Sequence, residues 1–321
     1  MNHEVLNILG HEVALGERKT INFNIAKLYT STKVEIPVIV ERSKKPGPVV
    51  LITAGIHGDE ITGVEIVRQL IRKKINRPLI GTVICIPILN VFGFLDMDRR
   101  FPDGRDLNRV FPGSKTGSLA SRFAYQFTQE ILPLADICLD FHTGAASRFN
   151  SPHIRVEKQD SDNMELAQVF NAPFILISKN INKTYRSACF KQGKKVLLFE
   201  GGKSQSNDKE VATIGVEGTK RVLHYLGMLN PKIDITPASS DSLVLHKSTW
   251  MRAKYSGMLH IQVAHGDFVA KGTHIATITD PYGTMSHEVK ANRQGYILNI
   301  NEAPIVYQGD AIFNIGFIQN D

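Results

Sequence analysis

Between Val49 and Leu229 the chain alternates short apolar runs with amphipathic stretches. VVLITAG at Val49–Gly55 reads as a buried strand that ends in a glycine turn. Glu60–Lys74 then places Ile61, Val64, Val67, Leu70 and Ile71 on one helical face. Gly81–Asn90 (GTVICIPILN) is a second buried strand, and a polar, glycine-rich loop follows from about Gly93 to Gly117. A connection of that length is more often functional than routine. A helix over Leu119–Leu132 leads into the strand Ala135–Phe141. Phe174–Ser178 and Lys195–Phe199 add two more strands, and Lys209–Leu229 a last long helix. Strands that are apolar throughout, separated by helices, predict an α/β sheet covered on both faces. Thr20–Val40 alternates more strictly and is expected to supply edge strands.

After Pro231 the texture changes. Asn230–Asp241 is rich in Pro, Ser and Thr and reads as a linker. Beyond Leu243 only short β-like pieces remain, punctuated by Gly257, Gly266, Gly272, Gly283, Gly295 and Gly309. That texture suits a small all-β barrel or sandwich. We therefore expect two domains, residues 1–238 and 239–321, which agrees with a length of 321 residues.

Composition narrows the class. The chain is 42% hydrophobic and 21% charged, the balance of an ordinary globular protein. Cys85, Cys138 and Cys189 are far apart and form no C-x-x-C pair, which argues against a disulfide framework. There is no signal-peptide pattern at Met1–Gly10 and no apolar run long enough for a membrane span, so the expected location is the cytoplasm, with no membrane partner. The net charge of +7 raises the question of a nucleic-acid partner. The excess belongs wholly to the first 240 residues, and no basic stretch is interleaved with aromatics. No nucleic-acid partner is expected.

The candidate chemistry begins at AGIHGDE, Ala54–Glu60. His57 stands in the turn after a buried strand and Glu60 opens the next helix, where α/β sheets build their sites. His142, in LDFHTG, repeats that context after another strand. Two histidines and a glutamate form a catalytic zinc set with a fourth position for water. Asp140 is either a partner that orients His142 or an ordinary buried carboxylate. Glu200, in LLFEGG, ends a third strand and suits a general base that takes a proton from water and returns it to a leaving amine. The alternative is a Glu200 paired with Lys194 or Lys203. In the long loop, Arg105, Asn108 and Arg109 form a clamp for an anionic substrate, with one arginine free to polarise the scissile carbonyl. Asp103 and Asp106 leave open that some of these arginines only hold the loop.

His57/Glu60, DLNR at Asp106–Arg109, His142 and EGG at Glu200–Gly202 together resemble the succinylglutamate desuccinylase/aspartoacylase family, over about Val49–Gly202. The resemblance implies a zinc-carboxypeptidase-like mixed α/β sheet with helices on both faces. It makes His57, Glu60 and His142 the ligands of one zinc per chain and Glu200 the base. It also makes Asn108 and Arg109 the grip on a substrate carboxylate, with Arg186 as a further substrate contact. Arg105 is the chosen carbonyl-polarising arginine, and Arg99 or Arg100 are the alternatives further upstream. The C-terminal segment looks like the β-barrel appended in that family, similar in pattern to biotinyl and lipoyl domains but without their modified lysine. The expected function is hydrolysis of the amide of a small anionic N-acyl amino acid. Alternatives are a carboxypeptidase acting on peptides and a non-catalytic ligand-binding protein. A homo-oligomer is compatible with all of this.

Overall fold

The structure is a computed structural model, and it describes residues 5–27 and 33–318. It opens with a hairpin, β1 (Val5–Ile8) and β2 (His11–Ala14), followed by the long antiparallel pair β3 (Arg18–Lys27) and β4 (Lys33–Arg42). Residues 28–32, inside the stretch expected to hold edge strands, lie outside the described residues. The α/β portion continues through β5 (Val49–Ala54), α1 (Ile61–Arg72), β6 (Thr82–Ile86), α2 (Val91–Asp96), α3 (Leu119–Glu130), β7 (Ile137–Gly144) and β8 (Arg148–Val156). It ends with α4 (Ser161–Phe170), β9 (Phe174–Ile177), α5 (Tyr185–Lys191), β10 (Lys195–Lys203) and α6 (Lys209–Tyr225).

The centre of the sheet is parallel, in the order β6-β5-β7-β10. These strands are apolar along their length because both faces are covered. Ile66, Val67 and Leu70 of α1, Leu166 and Phe170 of α4, and Val216 and Val222 of α6 fill one side. Phe123 and Phe127 of α3, with Tyr185 and Ala188 of α5, fill the other. Burying each large apolar side chain is worth roughly 1.5–3 kcal/mol over leaving it exposed. Antiparallel neighbours flank this centre, β4 and β3 beyond β6 and β8 beyond β10, which makes the sheet mixed.

The C-terminal segment is all β: β11 (Leu243–Leu245), β12 (Lys247–Arg252), β13 (Gly257–Ile261), β14 (Phe268–Val269), β15 (His274–Thr279), β16 (Ser286–Lys290), β17 (Gly295–Asn301), β18 (Ile305–Val306) and β19 (Ala311–Phe317). Strands β16-β15-β13-β18 form a separate small antiparallel sheet. Ile275, Ile278, Ile297, Phe313 and Ile315 belong to a core of their own. The stretch between Tyr225 and Leu243 carries no helix or strand, as its composition suggests. What composition does not suggest is that the large sheet runs on into this segment. β17 pairs with β8 and carries β19 and then β12 beyond it, and β11 pairs with β9.

Candidate active site

His57 and Glu60 lie in the turn between β5 and α1, closed by the Glu60 N–H donating to the His57 carbonyl at 3.2 Å. The turn sits so close to α2 that a Cβ on Gly58 would lie 1.8 Å from the Gly93 carbonyl carbon. Only glycine fits there. Glu60 is the N-cap of α1, yet its side chain makes no capping bond. The carboxylate turns inward instead, Oε1 to His57 Nδ1 at 2.6 Å and Oε2 to His142 Nδ1 at 2.9 Å. His142 reaches this point from β7, and the donor atoms of the three buried groups lie within 4.8 Å of one another.

The outer nitrogens of both rings are held. His142 Nε2 meets Asp140 Oδ2 at 2.7 Å, and His57 Nε2 meets Asp106 Oδ1 at 3.1 Å. Thr53 Oγ1 donates to the other oxygen of Asp140 at 2.8 Å. With a metal bound, a carboxylate on Nε2 would keep the proton there and free the Nδ1 lone pair to face inward, which is how ligating histidines are oriented. The three residues can therefore hold a metal, and the donor chemistry fits it. As the side chains stand, burial opposes charge on His57, but Glu60 and the hydrogen bonds to Asp106 and Glu60 raise it overall. Burial likewise opposes charge on His142, and Asp140 and Glu60 raise it well above the ordinary imidazole value. Burial alone would raise Glu60, yet His57 and His142 hold it far below the usual carboxylate range.

Glu200, on β10, is level with His142 on β7 and with His153 on β8. Neither lysine proposed as its partner reaches it: Lys203 pairs with Glu302 at 2.6 Å and Lys194 donates to the Pro133 carbonyl at 2.8 Å. Instead Asn150 Nδ2 donates to Glu200 Oε2 at 2.9 Å, and Arg155 Nε approaches Oε1 at 3.4 Å. Asn150 faces Glu200 because the β8–β10 pairing slips by one residue between Glu200 and Gly202. A bulge of this kind re-aims a side chain.

His57, Glu60, Asp140, His142, Asn150 and Glu200 line a cavity of 370 Å³, within the range of small-molecule sites. Arg99, Arg109, Arg148, Arg155, Lys179 and Arg186 also line it, and the C-terminal segment adds Ser248, Trp250, Asn299 and Asn314. Asn108 Oδ1 accepts from the Tyr185 N–H at 2.8 Å, tying the Asn108–Arg109 turn to the start of α5, where Arg186 sits. Arg186 is buried and donates to Ser178. Burial, with Arg155 alongside, pulls its guanidinium down to about 10, still charged at neutral pH.

A model of the succinylglutamate desuccinylase/aspartoacylase catalytic domain matches residues 46–226, more than half of the chain. The chain belongs to that family. It is 29% identical over 290 residues to the N-alpha-acetyl-L-2,4-diaminobutyric acid deacetylase of Halomonas elongata, covering 87% of this chain and 84% of that one. A succinylglutamate desuccinylase/aspartoacylase structure from Rhodobacter sphaeroides superposes with a TM-score of 0.80 at 25% identity, covering 94% of this chain and 96% of that one. The product-bound ectoine utilization protein EutE from Ruegeria pomeroyi shares the fold, with a TM-score of 0.80 at 23% identity over 94% of this chain and 95% of that one.

In this desuccinylase/aspartoacylase-family chain, His57, Glu60, His142, Asn108, Arg109, Arg186 and Glu200 all line one cavity. Arg105 does not. It is exposed, and its N–H bonds Asp103 on the surface of the loop. Arg99 lines the cavity in its place, with Nη1 on Glu60 at 3.2 Å and Nη2 on Asp106 at 2.9 Å. Arg148, Asn150 and Arg155 escape a reading of the sequence because β8, RFNSPHIRV, mixes buried polar residues such as Asn150 and Ser151 with apolar ones and breaks its alternation at the bulge.

Proposed function

We propose that this deacylase is a zinc enzyme that hydrolyses the amide of a small, anionic N-acyl amino acid. The deacylase class follows from the family, and the name of the Halomonas elongata relative supports an acylated amino acid as substrate. The observation that carries the finer reading is the cavity itself. Arg109, Arg148, Arg155, Arg186 and Lys179 surround a space of 370 Å³ beside the His57–Glu60–His142 donors. Guanidinium groups grip carboxylates through paired hydrogen bonds.

His57, Glu60 and His142 would hold one zinc per chain. Bound there, zinc supplies Lewis acidity, making water a better nucleophile and the scissile carbonyl a better electrophile. Glu200 takes a proton from the attacking water and passes it to the departing amine nitrogen. Asn108, Arg109 and Arg186 orient the substrate carboxylate. The carbonyl-polarising role passes from Arg105 to Arg99, which faces the cavity.

The test is zinc content together with a hydrolysis screen of N-acetyl and N-succinyl amino acids against peptides, for wild type, His57→Ala and Glu200→Gln. Free acyl amino acids are expected to be the better substrates, and His57→Ala to lose zinc. Glu200→Gln is expected to keep zinc and lose about 100-fold or more in kcat. Wild-type turnover in Glu200→Gln would sink the mechanism.

A further inference from the structure

Glu200 is not oriented by its own strand alone. Its hydrogen bond from a side chain comes, among the described residues, from Asn150 Nδ2. Arg155 Nε, opposite the other oxygen, approaches without hydrogen-bond geometry. Asn150 is a primary amide, so one end donates and the other accepts. Which end faces Glu200 decides whether the carboxylate is held or repelled. That choice is made outside the α/β portion, because Asn299 of β17 donates its Nδ2 to Asn150 Oδ1. Asn150 and Asn299 face each other in register, and both are nearly completely buried, at 5% and 4% exposure. Asn299 stays in line through a second slip, between Ile297 and Asn299 in the β17–β19 pairing.

We propose that Asn299 is a positioning residue for Glu200: by donating to Asn150 Oδ1 it fixes the Asn150 amide with its donor end on the carboxylate. The C-terminal β segment thereby sets the geometry of the base. The proposal rests on the reading of Glu200 as general base. Glu200 also favours the donor end, so losing the Asn299 donor loosens the Asn150 amide, whereas an acceptor at 299 competes for Nδ2 and would turn Oδ1 towards Glu200 Oε2.

The experiment is steady-state kinetics on the zinc-loaded full chain, with metal content and thermal melting as controls. A lost hydrogen bond to a charged group predicts that Asn299→Asp lowers kcat about tenfold or more while KM moves less than about threefold. Asn299→Ser keeps a donor hydroxyl and is expected to restore kcat to within about threefold of wild type. In an Asn150→Ala background, already slow, adding Asn299→Asp is expected to cost less than about twofold, since both act on one path. Unchanged kcat in Asn299→Asp would overturn the proposal, as would equal losses in the two backgrounds or a loss confined to KM. Should Asn299→Asp fail to fold, Asn299→Leu deletes the donor without adding an acceptor and is expected to lower kcat about threefold or more with KM little changed, and unchanged kcat there would overturn the proposal equally. Glu200→Gln run alongside separates the two readings. Wild-type turnover there removes the base assignment itself, whereas a slow Glu200→Gln with an unaffected Asn299→Asp sinks only the relay.

Discussion

Replacing His153 with glutamine is expected to remove part of the acid sensitivity of folding. His153 lies in β8 with no exposed surface. Its Nδ1–H donates to the Ser151 carbonyl at 2.8 Å, so the lone pair is on Nε2, which has no partner among the described residues. A proton added there would be a buried charge with nothing to receive it. Burial first, and the Arg155 charge second, pull the ring down to about 3 from an ordinary 6.5. The unfolded imidazole takes up its proton below the ordinary value, and the folded one does not until far lower. The stability this residue contributes is therefore complete above pH 6.5 and drains away as pH falls towards 3. At about 1.4 kcal/mol per pH unit, going from the ordinary imidazole pKa to about pH 5 costs about 2 kcal/mol. Urea unfolding of wild type and His153→Gln at about pH 7 and about pH 5 measures it through the difference in their acid losses. His57 and His142 titrate in both proteins and cancel in that difference. His153→Gln is expected to be the less stable at neutral pH and to lose about 2 kcal/mol less on acidification. Equal acid losses would refute the reasoning.

Asp140→Asn keeps the shape beside His142 but removes the charge that holds Nε2 protonated. Metal affinity is expected to fall about 10- to 100-fold in a chelator competition, and unchanged affinity would count against the ligand assignment. Gly58→Ala would put a Cβ 1.8 Å from the Gly93 carbonyl carbon and 2.2 Å from the Phe94 nitrogen, and neither backbone atom can yield cheaply. A loss of more than about 3 kcal/mol is expected in denaturant unfolding. Gly104→Ala, strained at φ +78° but in open space, is expected to cost only about 1–2 kcal/mol, and comparable losses in the two would refute the packing argument.

The parts of the fold that could be read directly are those whose local pattern has a single physical cause. β5, β7 and β10 are apolar because helices cover both faces, and His57, His142 and Glu200 are polar interruptions at their ends. Helix α1 shows in its periodicity, and Glu60 stands at its N-cap without the side chain being spent on a cap. Helix α5 has only seven residues, too few for a periodic signal, so Arg186 could be placed only through the family resemblance. Arg99 and Arg105 look alike in sequence. What separates them is the carboxylate pair Glu60 and Asp106, which are 46 positions apart and meet only once the chain has folded. The pairing of β17 with β8 joins residues 149 positions apart through Asn150 and Asn299. Nothing in either local pattern announces it.

That pairing has a consequence for how the chain is made. A ribosome that has delivered residues up to the linker has released every α/β element, yet residues 148–150 of β8 and the outer side of β9 still lack their neighbours. Open backbone edges of this kind recruit other chains. The nascent protein must therefore wait, exposed, for residues 243–245 and 299–301 to emerge before the sheet is sealed. A gene shortened at the linker would leave that interval permanent.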